Sequence, residues 1–262
     1  MTIPSSRLHA QEAGSGRQAL LLLHGFGGSG ADWAGLVPRL SEAAHVLVYD
    51  LPGHGGSLDH PGSGGARNAA RAILADLDAR GIEHAHVAGH SMGGAVAALM
   101  AIAAPERIAS LTLLAPGGFG EEIAATLLRR YAAAAGAEDI RACLAEMSGP
   151  GHEVPERSVE ERLAARQRPG QTARLVEIAS AMTRDGRQGM IPRELLAGLK
   201  MPVSVLWGTL DPVLPPGQAA DLPPAFRLRR IPGAGHMLID EAPGAVMETI
   251  LAALGPERGD IG

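Results

Sequence analysis

Ser91 stands at the centre of Gly89-His90-Ser91-Met92-Gly93, between an apolar run that starts at His86 and an Ala-rich segment that ends at Ala104. The run reads as a strand and the segment as a helix, so the serine falls on a sharp strand-to-helix turn that presents its hydroxyl outward. A serine hydroxyl is a poor nucleophile at neutral pH. It needs an imidazole to take its proton, and the imidazole needs a carboxylate to fix its tautomer and stabilise its charged form. Asp211 and His236 supply those two groups, each directly after a stretch that reads as a strand. The region after the apolar run at 108–115 offers only Pro116, Gly117 and Gly118, which favours Asp211 as the acid. An acyl carbonyl attacked by Ser91 becomes an oxyanion. The free N–H of Met92 at the helix start and the N–H of Phe26, in His24-Gly25-Phe26-Gly27-Gly28, are the expected donors to it.

The elements that must position these residues follow a regular rhythm. Short apolar runs at 19–25, 46–50, 108–115, 202–208 and 226–231, with the one before Gly89, read as buried strands. Amphipathic stretches at 66–81 and 243–254 and the segment after Ser91 read as helices. Strands alternating with helices predict an α/β fold with a mostly parallel central sheet and helices on both faces. The rhythm stops between Gly117 and Gly189, where 121–136, 138–147, 158–167 and 171–182 read as four successive helices. The expected organisation is a core made of 1–116 and 190–262 with a helical cap inserted over 117–189. Arginines and acidic residues nearly balance in the insertion, which reads as a solvated charged face. The tail from Gly255 is expected to fray.

Composition narrows the function classes. The chain has 262 residues, is 46% hydrophobic and carries a formal net charge of −5 with its charges interspersed. No basic patch points to nucleic acid or to an anionic membrane. A single cysteine, Cys143, excludes an intrachain disulfide, and residues 1–18 contain no apolar leader region, so the cytoplasm is the expected compartment. No apolar run is long enough to span a bilayer. Nothing in the sequence sets an oligomeric state.

Three other readings compete at particular residues. Gly25-Phe26-Gly27-Gly28-Ser29-Gly30 fits the dinucleotide fingerprint, with Asp50 at the distance of its ribose-binding acid, and would make the chain an NAD(P)-binding protein. Against it, His24 replaces an apolar strand residue and Pro38 interrupts the helix that the fingerprint requires. His84, His86 and His90 read as strand and turn histidines with no carboxylate partner nearby in sequence, so no metal is expected. His24 and His54 read as loop braces, and Trp33, Phe119, Tyr131, Met147 and Met182 as packing residues.

Taken together, HGFGG at 24–28, DLPGHGGS at 50–57, GHSMGG at 89–94, GTLDPVLP at 208–215 and GAGHM at 233–237 resemble the α/β-hydrolase family over nearly the whole chain. The order Ser91, Asp211, His236 is that family's order of nucleophile, acid and base. Within the family, LAPGGFG at 114–120 and the segment from Arg187 to His236 look most like the hydrolase-like domain of the acetyltransferase component of bacterial acetoin dehydrogenase complexes. The sequence has no lipoyl or swinging-arm segment, so the resemblance implies a free-standing hydrolase rather than acyl transfer to a lipoyl group. PGGFG also resembles meta-cleavage-product hydrolases, which split carbon–carbon bonds. Those enzymes carry Asn before the serine and Trp shortly after the histidine, where this chain has His90 and then Met237 and Leu238. The expected protein is therefore a cofactor-free serine hydrolase of the carboxylesterase kind acting on a small-molecule acyl substrate. Carbon–carbon cleavage ranks second, and a catalytically idle receptor or accessory protein on the same fold is the alternative from another class.

Overall fold

Leu20, Leu21, Leu22 and Leu23 are all buried in the computed structural model, which describes residues 7–255. Successive strand residues point to opposite faces, so a strand buried at every position must be covered on both sides. The chain meets that demand by alternating strands with helices. In order these are β1 (Ala10–Ala13), β2 (Ala19–Leu23), α1 (Val37–Leu40), β3 (His45–Tyr49), α2 (Ala66–Arg80), β4 (Ala85–His90), α3 (Met92–Ala103) and β5 (Ile108–Leu114). There follow α4 (Ala125–Ala133), α5 (Ala137–Met147), α6 (Glu156–Arg166), α7 (Gln171–Met182), α8 (Arg193–Ala197), β6 (Val203–Gly208), β7 (Arg227–Ile231), α9 (Leu238–Glu241) and α10 (Pro243–Leu254).

The seven strands form one sheet in the order β1-β3-β2-β4-β5-β6-β7. Only β1 runs antiparallel to its neighbour. The order steps outward in both directions from β2 and β4, and the loops after β2, β4, β6 and β7 gather at one edge of the sheet, where an open α/β sheet places its ligands. The expected α/β architecture is therefore the observed one.

Several boundaries differ from the sequence reading, each for a local reason. β1 carries the pattern AQEA, half exposed and polar, so nothing in its hydropathy marks it as a strand. α4 starts at Ala125 rather than at Glu121 because the backbone of Glu121 and Glu122 is bonded elsewhere. Gln188 N–H donates to the Glu121 carbonyl at 3.0 Å, and Gln218 Nε2 to that of Glu122 at 2.7 Å. The short helices α1 and α8 add to those expected, and Pro38 and Pro192 sit at their starts, where a missing N–H does no harm. Between β5 and β6 the described residues form helices and loops: α4 packs on α5 and α7, and α6 on α5 and α7. The tail beyond Gly255, expected to fray, and residues 1–6 of the N-terminal stretch lie outside the described residues.

Candidate active site

Ser91 has φ 52° and ψ −113°, a left-handed conformation that a side-chain-bearing residue rarely adopts. Its surroundings enforce it. Ser91 N–H donates to the Leu114 carbonyl of β5 at 2.8 Å, while its own carbonyl accepts from Ala95 N–H at 3.1 Å and from Gly117 N–H at 2.9 Å. The turn also needs its two glycines. A methyl group on Gly89 would overlap the Gly93 carbonyl, and one on Gly93 would overlap the backbone of Leu23 and His24. Strand β4, helix α3 and the end of β2 therefore meet at a distance that no Cβ permits.

The loops after β6 and β7 bring the other two expected residues to this turn. His236 Nδ1 donates to Asp211 Oδ2 at 2.8 Å, and the Ser91 hydroxyl lies 2.9 Å from His236 Nε2. A carboxylate at Nδ1 holds the ring proton there and leaves Nε2 free to accept the serine proton. His236 and Asp211 are 3% and 5% exposed, so their interaction is shielded from water. Asp211 is fixed in turn by its other oxygen, which accepts from Val213 N–H and Leu214 N–H, both at 2.8 Å. Glu241 holds the histidine loop, accepting from the N–H groups of Gly149, Gly235 and Met237, each at 2.8 Å. His90 Nε2 lies 2.8 Å from the His236 carbonyl.

The two residues expected to supply oxyanion N–H groups flank Ser91. Phe26 borders it in a cavity of about 20 Å³, and Met92 borders it in one of about 320 Å³. The loop that carries Phe26 is braced by the histidines read as loop supports. His24 Nε2 accepts from Leu51 N–H at 2.9 Å, and His54 Nε2 accepts from Gly27 N–H at 3.2 Å. The glycine-rich stretch that fits a dinucleotide fingerprint passes into a short 3-10 turn, Gly30–Trp33, rather than into a long helix that could face a pyrophosphate. The Asp50 carboxylate is already occupied: it accepts from Gly30 N–H at 2.8 Å and Gly56 N–H at 2.7 Å and lies 2.9 Å from His9 Nδ1. His84 and His86 bond the Glu106 carbonyl and the Ser110 hydroxyl, and no cluster of three metal-ligating side chains occurs among the described residues.

One group of residues near the site escaped the sequence reading. Arg162 and Arg166 of α6 are buried, not solvated. Arg162 reaches Asp32 at 3.0 Å, donates to the Tyr131 hydroxyl at 2.8 Å and to the Ser158 carbonyl at 2.9 Å. Tyr131, read as packing, donates its hydroxyl hydrogen to the Gly27 carbonyl at 3.2 Å, and the Arg166 guanidinium lies over its ring at 4.7 Å. The network ties α4 and α6 to the loop of Phe26. Its trace in the sequence is the spacing Val159, Arg162, Arg166, a helical stripe too poor in apolar residues to bury itself.

Two buried histidines make stability depend on pH. Burial first, and the neighbouring His236 second, push the His90 pKa down to about 3; burial and then His24 do the same to His54, also to about 3. Above about pH 6.5 both are neutral folded and unfolded, and their native contacts count in full. As pH falls below that value the unfolded chain binds protons that the folded chain refuses, until pH reaches about 3. Each histidine is therefore expected to lower stability as pH falls within this window. Denaturant unfolding at about pH 7 and about pH 5.5 checks it: a midpoint that does not fall would contradict the burial of neutral imidazoles.

The geometry agrees with what the chain resembles. Residues 18–243 match the family model of the alpha/beta hydrolase fold. A dihydrolipoyllysine-residue acetyltransferase component of the acetoin cleaving system from Pseudomonas putida is 36% identical over 92% of this chain, which spans 64% of that protein's length. A 2-hydroxy-6-oxo-6-phenylhexa-2,4-dienoate hydrolase from Comamonas testosteroni is 39% identical over 43% of this chain and 41% of its own. Among solved structures, the enzyme of that name from Rhodococcus sp. strain RHA1 superposes with a TM-score of 0.80 at 24% identity, covering 95% of this chain and 96% of that one. With the sheet order, the turn at Ser91 and the family match in agreement, the chain belongs to the alpha/beta hydrolase fold family.

Proposed function

We propose that the protein is a serine hydrolase of the carboxylesterase kind. The observation that carries the reading is the unbroken hydrogen-bonded line from Ser91 through His236 to Asp211, with Ser91 lining a cavity of about 320 Å³. Ser91 Oγ attacks the acyl carbon as His236 takes its proton, and the N–H groups of Phe26 and Met92 hold the oxyanion. His236 returns the proton to the departing alcohol, and water then releases the acid from the acyl-enzyme by the reverse use of the same groups. Asp211 keeps the imidazole in the tautomer this requires.

Carbon–carbon hydrolysis is the second reading, supported by the likeness to the Comamonas testosteroni hydrolase. The ester reading is preferred because His90 precedes Ser91 and Met237 and Leu238 follow His236, where the meta-cleavage-product hydrolases carry Asn and Trp. The test common to both is covalent labelling by a fluorophosphonate, located by mass spectrometry. Wild-type protein is expected to be labelled at Ser91 and the Ser91→Ala variant to stay unlabelled while folding normally. Unlabelled wild type would mean an idle receptor. Acid release from simple esters, set against bleaching of a 2-hydroxy-6-oxo-dienoate, then separates the two reactions.

A further inference from the structure

Ser91 lies between two cavities of very unequal size. The smaller, of about 20 Å³, is bounded by His236, Met237, Phe26, Leu144, Met147 and Arg162. Its walls are fixed: Leu144 and Met147 are buried, and Arg162 is held by Asp32 and Tyr131. That volume is about what one water molecule requires. The larger, of about 320 Å³, runs along α3, from which Met92, Ala95, Leu99 and Ile102 face it. Residues spaced three, four and three apart lie on one helical stripe, and ten residues of helix rise about 15 Å. Ile178 and Met182 of α7 and Ile191 and Leu195 beside and within α8 line the same space, and Arg67 is the one charged side chain there among the described residues.

We infer that the substrate is an ester of a long apolar acyl chain with a small alcohol, the chain lying along α3 and the alcohol leaving on the His236 side. The inference rests on the hydrolase reading above and follows from where the proton must go. His236 Nε2 has to lie within about 2.6–3.2 Å of the leaving oxygen to protonate it, so the alcohol departs into the cavity that His236 lines. That cavity has room for a group the size of a methyl and excludes a long one. The acyl chain then occupies the other side, where each buried methylene adds about fourfold in affinity. In the balanced step the Ser91 oxygen bonds the acyl carbon and the ester C–O bond breaks. The departing oxygen keeps the electron pair and takes the proton from His236. Water hydrolyses the acyl-enzyme to a long-chain carboxylic acid.

Methyl nonanoate and octyl acetate test this directly, since they are isomers that place the long chain on opposite sides of the ester. Proton release at constant pH is expected to give methyl nonanoate a kcat/KM at least about tenfold higher. Parity or the reverse order overturns the inference. In the Leu99→Trp variant the ratio of methyl nonanoate to methyl butyrate kcat/KM should fall at least about tenfold, because indole blocks the groove partway along α3. Ile102→Trp, about one turn further from Ser91, replaces it if the first variant fails to fold; an unchanged ratio in a folded variant counts against the groove. Fluorophosphonate labelling separates the two levels of failure. Protein that is labelled but prefers octyl acetate, or hydrolyses neither isomer, loses the acyl-chain inference alone, whereas unlabelled protein loses the hydrolase reading and the inference with it.

Discussion

Replacing Asp211 by asparagine is expected to lower kcat by about ten-thousandfold, the loss that the equivalent exchange produces in serine proteases, while leaving the fold intact. The structure gives a specific reason. Asp211 Oδ1 accepts two backbone hydrogen bonds, from Val213 and Leu214, so an asparagine must keep its oxygen there. Its NH2 group then falls where Oδ2 meets His236 Nδ1. A donor at that point forces Nδ1 to be the acceptor and puts the ring proton on Nε2, which faces Ser91 and can no longer take the serine proton. The measurement is steady-state kcat together with the rate of fluorophosphonate labelling, and both should fall. In the Ser91→Ala background the same exchange should change almost nothing more, because the three groups act as one unit. A loss of less than tenfold, or multiplicative losses in the double variant, would move the orienting role away from Asp211. Glu241 is already committed to three backbone N–H groups and could not assume it.

The second large effect concerns stability. Arg162→Met should cost about 3–5 kcal/mol, since removing one partner of a buried ion pair leaves the other charge uncompensated. The Asp32 side chain is 8% exposed and the Arg162 side chain 5%, so bulk solvent does not replace the lost partner. Tyr131 would lose a donor to its hydroxyl at the same time. Adding Asp32→Asn to Arg162→Met should recover part of the loss, with a coupling of roughly 0.5–3 kcal/mol in a double-mutant cycle read by denaturant unfolding near neutral pH. Additive losses would show that the two side chains do not support each other.

The contrast between these two predictions shows what a sequence displays and what it conceals. Ser91, Asp211 and His236 were legible because strong local signals mark the turns that carry them: glycines where no Cβ fits, and polar residues directly after runs such as 202–208 that only a doubly covered strand explains. Arg162 and Asp32 carried no such signal, being separated by 130 positions and paired only once α6 is laid over the loop after β2. A charge on an amphipathic helix reads as solvated until its neighbours are known. β1 was invisible for a related reason: an edge strand of four residues with polar side chains owes its conformation to its ladder with β3 rather than to its own hydropathy. The glycine-rich loop illustrates the opposite hazard, in which a motif is present but its context is not. The stretch from Gly25 to Gly30 has the right letters, yet the helix that would give them meaning is absent and Asp50 serves the loop itself.

The left-handed backbone at Ser91 has a consequence for how this protein can change over time. A non-glycine residue held at φ 52° stores strain on the order of 1–3 kcal/mol, a sizeable part of the net stability of an ordinary domain. Glycine would relieve that strain and, on the proposed mechanism, end the chemistry in one substitution. Selection for durability and selection for turnover therefore pull this position in opposite directions, and a lineage released from the second would be drawn towards a sturdier, inert descendant on an unchanged scaffold.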